Sequence, residues 1–433
     1  MQRMLGLCKH GGCEMTKRSG VAIAAATVAT FCGLLGVGPA SASSGAQGVT
    51  ATTIRVGIPY VDVAAVKAVG VNLDWGNVTD AYKAVIANVN ANGGINGRKI
   101  VPFIIAVDPT GAAPAATACT ALTQDDKVFA VIAPLSPTCY LQAGVPVVNG
   151  ILQSAPGTGL AQDFALAPPA STYDPLELSI FSKQGIFKNK KVGVFAGVTT
   201  DEAELKIVQA SLSKLHVNVV SSAVDSAPQG DLSAENEQLA VIAQRFQATG
   251  VNEVVAVGYG GAVWPEGLSA IQSSYNPPWV ATSESDFTGD VGGSNDPQYL
   301  ANVVTSSPLA SGATIWADPG IQRCVKLARK AYPSDHINTY SATAPGSEQT
   351  WTGIEQACTD VALFSAIAKA AGKHLTLTSF VHAAYGLRNV VIPGSTAPIS
   401  FAPNRPYALG PVYMVHYDAD TKSIVVASKP VAP

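Results

Sequence analysis

The sequence carries little charge: 27 Lys and Arg with 30 Asp and Glu, 13% of 433 residues. No stretch is rich in Lys or Arg, which excludes the electrostatic footprint of a nucleic-acid or anionic-lipid binder. Past residue 42 no apolar run approaches the ~20 residues that cross a bilayer, so no membrane insertion of the mature chain is expected. Catalytic signatures are missing as well. There is no Gly-x-Ser-x-Gly elbow, no His-Glu-x-x-His and no P-loop, and Gly258-Tyr-Gly-Gly-Ala262 lacks the dinucleotide-binding spacing. No Cys-x-x-Cys occurs, and His216, His336, His374, His382 and His416 are scattered. Neither a metal nor another cofactor is expected, and the chain does not read as an enzyme.

What is present begins with a leader. Lys17 and Arg18 precede an Ala- and Val-rich run from Val21 to Leu35, and Ala40-Ser41-Ala42 supplies the small residues of a peptidase site. Residues 1–42 are expected to be a secretory signal peptide cleaved near Ala42, leaving an exported chain from Ser43, with Met15 as an alternative start. Cys32 lies within the apolar run, but Phe31 before it is not the small residue a lipoprotein signal needs. Cleavage removes Arg3, Lys9, Lys17, Arg18 and Glu14, so 27 and 30 become 23 and 29 and the net charge moves from −3 to −6. It leaves Cys119, Cys139, Cys324 and Cys358. An even number in an exported chain points to disulfides rather than zinc, with three pairings open.

The mature length suits two lobes rather than one core. Short strands are expected at Ile54–Ile58, Ile100–Val107, Val128–Ala133 and Val145–Val148, with helices at Thr79–Asn92 and Ala112–Leu122 between them. Thr79 is placed to cap the first helix; Tyr82, Val85, Ile86 and Val89 share its face, and Gly93-Gly94 stops it. The pattern restarts with strands at Lys191–Ala196, Val217–Ser221, Val254–Val257 and Trp279–Thr282 around helices at Glu202–Leu215 and Ala234–Ala248. Ala165–Thr172, rich in Pro and Ser, reads as a first crossing between lobes. Trp351–Ala371 is a long helix, and Val412–His416 and Ile424–Val426 are closing strands. Alternating strands and helices imply an α/β fold with parallel sheets layered between helices.

Ile54-Arg-Val-Gly57, Val89-Asn-Ala-Asn-Gly-Gly-Ile-Asn-Gly-Arg-Lys-Ile100 and Asp125-Asp-Lys-Val-Phe-Ala-Val-Ile-Ala-Pro134 resemble the type I periplasmic solute-binding family. The likeness is to its branched-chain amino-acid branch of ABC-importer binding proteins. It is strongest from Ile54 to Pro134 and continues in architecture beyond residue 150. It implies two doubly wound parallel-sheet lobes with a ligand cleft between them. The expected division is residues 43–170 plus about 303–395 in lobe 1, and 171–302 plus about 396–433 in lobe 2. It also implies a Cys119–Cys139 disulfide, a small-molecule solute such as an amino acid or amide, and an ABC importer permease as partner. The alternatives are a sensing module for a separate membrane receptor, or an exported enzyme on the same scaffold.

Open parallel sheets bind ligands outside the carboxyl ends of their strands. In lobe 1 the resemblance points to Tyr60 and Trp75 in the loop after the first strand, which relatives aim at the cleft, and to Ser136 and Thr138 after the third, where relatives hold a carboxylate. In lobe 2 the strand ends select Thr199, then Tyr259 and Trp264 in a Gly-rich loop, and the resemblance implies Glu284 as the carboxylate for a ligand ammonium. Pro137 and the absence of a tyrosine after Thr199-Thr200-Asp201 depart from the family pattern and put a plain branched-chain amino acid in doubt.

Overall fold

The computed structural model describes residues 46–68, 74–109, 112–150, 162–227, 232–258, 264, 274–282, 303–307, 312–340, 349–395, 397–418, 423–429 and 431. The leader, its cleavage site and Ser43 lie outside them, as do Tyr259 and Glu284.

The first sheet comprises β1 (Thr53–Val61), β2 (Lys99–Val107), β3 (Ala130–Ile132), β4 (Val147–Val148) and β5 (Asp163–Phe164), all parallel, in the order β2-β1-β3-β4-β5. Strand alternation explains its two covered faces. Ile54, Val56 and Ile58 point into one core, while Gly57 between them lies beneath Leu122 on the other face. A Cβ on Gly57 would sit 2.9 Å from Leu122 Cδ1, so this strand approaches its covering helix closely.

The helices of this half are α1 (Val63–Ala68), α2 (Val78–Ala91), α3 (Ala112–Thr120), which runs into a π turn at Ala121–Asp125, and α4 (Thr138–Gln142). The cap of α2 is Asn77, whose side chain accepts from Asp80 N at 3.1 Å; Thr79, the expected cap, instead donates to Tyr60 Oη at 3.1 Å. The Asn92–Lys99 element behaves as its glycines require. Gly93, Gly94 and Gly97 all have positive φ, and Ile95 and Arg98 bridge before β2 begins. A Cβ on Gly94 would overlap Arg98 O.

The chain then builds a second sheet, with α5 (Ala170–Lys183), α6 (Glu202–Lys214) and α7 (Leu232–Ala248) as its helices. Its strands are β6 (Val192–Ala196), β7 (Val219–Val224), β8 (Glu253–Val257), β9 (Trp279–Ala281), β10 (Val303–Ser307), β11 (Tyr413–Asp418) and β12 (Ser423–Val426), in the order β12-β11-β10-β9-β8-β6-β7. Only β11 and β12 run antiparallel to their neighbours. Between β10 and β11 the chain returns to the first lobe as α8 (Gly312–Ala317), α9 (Pro319–Ala331), α10 (Thr352–Ala370) and α11 (Leu377–Gly386). Phe364 and Phe380 from this return pack with Phe129 and Phe164 of the first sheet.

Two expected boundaries shift. β10 pairs with β9, so the segment from 303 begins in the second sheet rather than in lobe 1. Ile399 and Phe401, assigned to lobe 2, lie in the first lobe's core, because the chain does not reach the second sheet until β11.

Cys119 pairs with Cys139 and Cys324 with Cys358, their Cα atoms 6.3 and 6.0 Å apart. The first ties the end of α3 to α4; the second ties α9 to α10. Among the described residues no helix is long and apolar enough to cross a membrane.

Candidate functional site

Connectivity fixes where the two sheets meet. The first crossing leaves the carboxyl end of β5 and the second leaves that of β10. The third arrives at Tyr413, which pairs with Ser307, the last residue of β10. All three crossings therefore join the carboxyl edges of the sheets, which is where open α/β sheets bind ligands. Ala165 N donates to Pro406 O at 3.0 Å and Ala408 N to Ala165 O at 2.9 Å, so the first and third crossings run side by side.

On the first lobe's edge, Tyr60 and Ser136 border the same hollow. It holds about 20 Å³ across the ends of β1, β2 and β3, room for about one water, and Pro59, Val107, Leu135 and Tyr140 also line it. Tyr140 was not anticipated. Burial pushes its phenol up to about 12, so it stays a neutral hydrogen-bonding group at physiological pH. Its position follows from the Cys119–Cys139 bridge, which holds the start of α4 against the sheet. Thr138 opens α4 and is exposed, outside the hollow. Trp75 is half-buried against the lobe's core, and its carbonyl accepts from Gly353 N at 3.0 Å; it borders neither this hollow nor the cavity below.

A larger cavity, about 270 Å³, opens beside the ends of β4 and β5. Leu166 and Ala167 of the first crossing, Ile315 of α8, and Ala408–Gly410 of the third crossing form its walls. The α10 residues Glu355, Gln356, Thr359 and Asp360 also line it, at the spacing of one helix face. Asp360 is the centre of a buried network. It accepts from Tyr82 Oη at 2.5 Å and Asn149 Nδ2 at 2.6 Å, while Asn149 Oδ1 accepts from Leu166 N at 3.2 Å. Burial raises the Asp360 carboxyl to about 7 even though both donors lower it, and burial with the Asp360 charge raises Glu355 to about 7.

The second lobe's edge is acidic. Gly258 N at the end of β8 donates to Thr282 Oγ1 after β9, and Thr282 Oγ1 donates to Glu204 Oε1 of α6, each at 3.2 Å. Deeper, Ser306 Oγ of β10 donates to Glu177 Oε2 at 2.7 Å. Asp174 and Glu177 on α5 are buried, and Asp174 Oδ2 and Glu177 Oε1 have no hydrogen-bond partner among the described residues. Burial first, then Glu204, raises Asp174 to about 9; burial and the Asp174 charge raise Glu177 well above the carboxylate range. Both hold their protons near neutrality.

Thr199 is exposed in the 3-10 turn Thr199–Asp201 after β6. Trp264 is a correction. It is fully buried with its ring 5.4 Å from Phe195 and 5.7 Å from Phe246, filling the second lobe's core instead of walling a pocket.

The fold is that of the type I periplasmic binding proteins. The periplasmic binding protein type 1 of Bordetella pertussis Tohama I superposes with a TM-score of 0.62 at 15% identity, over 88% of this chain and all of that one. The fatty acid ABC transporter substrate-binding protein of Thermomonospora curvata gives 0.63 at 14%, over 90% and 95%. The branched-chain amino acid transporter substrate binding protein of Streptococcus pneumoniae, in complex with isoleucine, gives 0.59 at 17%, over 88% and 100%. No protein-family model and no curated protein matches the sequence.

Proposed function

We propose that this is an exported solute-binding protein that captures a small molecule between its lobes and delivers it to an ABC importer permease, without catalysis. The observation that carries the reading is the junction of all three crossings at the carboxyl edges of two parallel sheets. That arrangement makes the space between the edges a cleft, and rotation about the crossings closes it over a ligand. Tyr60 and Ser136 supply hydroxyls on an otherwise apolar first-lobe wall of Pro59, Val107 and Leu135. Thr138, Trp75 and Thr199 flank the same edges. The Glu204 carboxyl, held by Thr282 at the ends of β8 and β9, favours a ligand that offers an ammonium or another hydrogen-bond donor there. An amino acid or amide oriented with its carboxyl toward Ser136 meets both conditions.

Thermal unfolding against amino acids, amides, aromatic acids, fatty acids and sugars tests the reading. A ligand at a hundred times its Kd adds about 2.7 kcal/mol, which raises the midpoint measurably. One chemical class should stabilise the protein, and Tyr60→Ala and Ser136→Ala should each reduce that shift. Flat curves across the panel would overturn solute capture.

A further inference from the structure

The cavity between the crossings differs from the cleft edges in ways that assign it its own occupant. At about 270 Å³ it is more than ten times the size of the Tyr60–Ser136 hollow of about 20 Å³. Its polar side is concentrated on one face of α10, where Glu355 and Gln356 lie next to Thr359 and Asp360. The apolar residues Leu166, Ile315, Ile399 and Leu409 also line it.

The charges on that polar side are not balanced. None of the described residues lining the cavity is basic. Asp360 has its oxygens engaged by Tyr82 and Asn149 and is committed to the fold. Glu355 is held more loosely: its Oε1 accepts from Thr359 Oγ1 at 3.3 Å, while that hydroxyl makes a shorter bond of 2.9 Å to Pro393 O. Glu355 is thus a carboxyl lining a pocket that also has apolar residues in its lining and no basic residue among the described ones. An anionic ligand would meet Glu355 and Asp360 unfavourably, and a neutral apolar ligand would leave Glu355 desolvated without compensation.

We propose that this cavity is a second binding site, for a small organic cation such as a primary amine or amidine that lacks a carboxylate. The cationic head pairs with Glu355 and hydrogen-bonds to Gln356, and the hydrocarbon body lies against Leu166, Ile315, Ile399 and Leu409. Because segments of the first and third crossings wall the cavity, an occupant is clasped by the hinge itself. Its binding is therefore coupled to the angle between the lobes, and so to capture of a solute in the cleft. The site needs only the cavity and its lining, so it does not depend on which solute occupies the cleft.

The test uses isothermal calorimetry on the purified protein with isopentylamine as probe, and with leucine and isopentanol as controls sharing its branched hydrocarbon. Isopentylamine should bind saturably at one site, and isopentanol should not bind. Leucine should leave the amine stoichiometry unchanged. Glu355→Gln, which keeps the shape of the side chain, should weaken amine binding about tenfold or more. Ala167→Leu, which adds bulk at the exposed rim, should weaken it comparably, and both variants should retain the parent circular dichroism. Tyr60→Ala should leave amine affinity unchanged.

Absence of saturable binding up to millimolar amine would overturn the proposal, as would unaltered affinity in both cavity variants. Loss of amine binding in Tyr60→Ala would also overturn it, by moving the amine to the cleft and leaving solute capture intact. Amine binding that responds to Glu355 and Ala167 while no solute class stabilises the protein would support the hinge site and count only against the cleft.

Discussion

Replacing Asp163 with Asn should make the protein's stability less dependent on pH, with a gain that appears only as the solution becomes neutral. Asp163 opens β5 and is 3% exposed, and neither carboxylate oxygen has a hydrogen-bond partner among the described residues. The backbone N–H of Gly150 approaches and lowers its pKa slightly, short of a well-formed hydrogen bond, and burial dominates, raising the carboxyl from 3.8 to about 7. At about 1.4 kcal/mol per pKa unit, three units amount to roughly 4 kcal/mol as a ceiling on the cost of ionising this group in the fold.

The sign follows from which state holds the proton. Below about pH 4 both folded and unfolded chains carry a protonated Asp163, and no penalty exists. Between about 4 and 7 the unfolded chain has released the proton that the folded chain retains, so stability falls as pH rises through this window and levels off above it. Asn does not titrate. Its own unpaired amide costs about 1–3 kcal/mol at every pH, so the informative quantity is the change in the variant's effect between two pH values. Urea midpoints at about pH 4.5 and pH 8 should show Asp163→Asn gaining a few kcal/mol relative to the parent at the higher pH. An effect of the same size at both pH values, or one that favours Asp at pH 8, would refute the argument.

The two disulfides should separate stability from binding. They close loops with sequence separations of 20 and 34 residues, worth about 3.3 and 3.8 kcal/mol by chain entropy. Paired Cys→Ala variants should show similar losses in denaturant unfolding, but only removal of Cys119–Cys139 should also weaken solute capture, because it frees the Ser136–Tyr140 segment. Trp264→Phe should lower stability without altering solute affinity per folded molecule, as calorimetry would show. Its cost should stay near ~1–2 kcal/mol, since the substitution also removes an Nε1–H that has no partner among the described residues.

The elements readable in the sequence are those whose pattern is local. β1 and β2 are apolar because both faces are covered, and the Asn92–Lys99 turn is written in glycines whose positive φ the fold needs. Helix α9 carries equally local information. Ile321, Cys324, Val325 and Ala328 recur at helical spacing and are buried, but they are set among Arg and Lys residues, so no apolar run marks the helix. Helix α5 was harder. Pro168-Pro169 before it and Pro175 within it suggest a linker, and Pro169 indeed holds an extended φ of −65° at the cap. The acids of the second lobe were not legible, because the burial of Glu177 depends on Ser306, 129 residues away. For the same reason Trp264 looked like a pocket wall: nothing local reveals that Phe195 and Phe246 flank it.

The crossings also show where the proposed closure is absorbed. Ala165 and Ala408 are fixed to each other's strands by two backbone hydrogen bonds, and Leu166 N is held by Asn149, itself anchored to Asp360 on α10. These residues move with the first lobe. Pro168 and Pro169 limit the next positions to extended backbone, and α5 begins at once after them as part of the second lobe's core. The proposed closure would then be absorbed in the first crossing between Leu166 and Pro168, and in the third between Ala408 and β11. Both stretches border the Glu355 cavity. On the proposed closure the shape of that cavity would change as the lobes turn, and an occupant that fits one lobe angle better than the other would bias the balance between them.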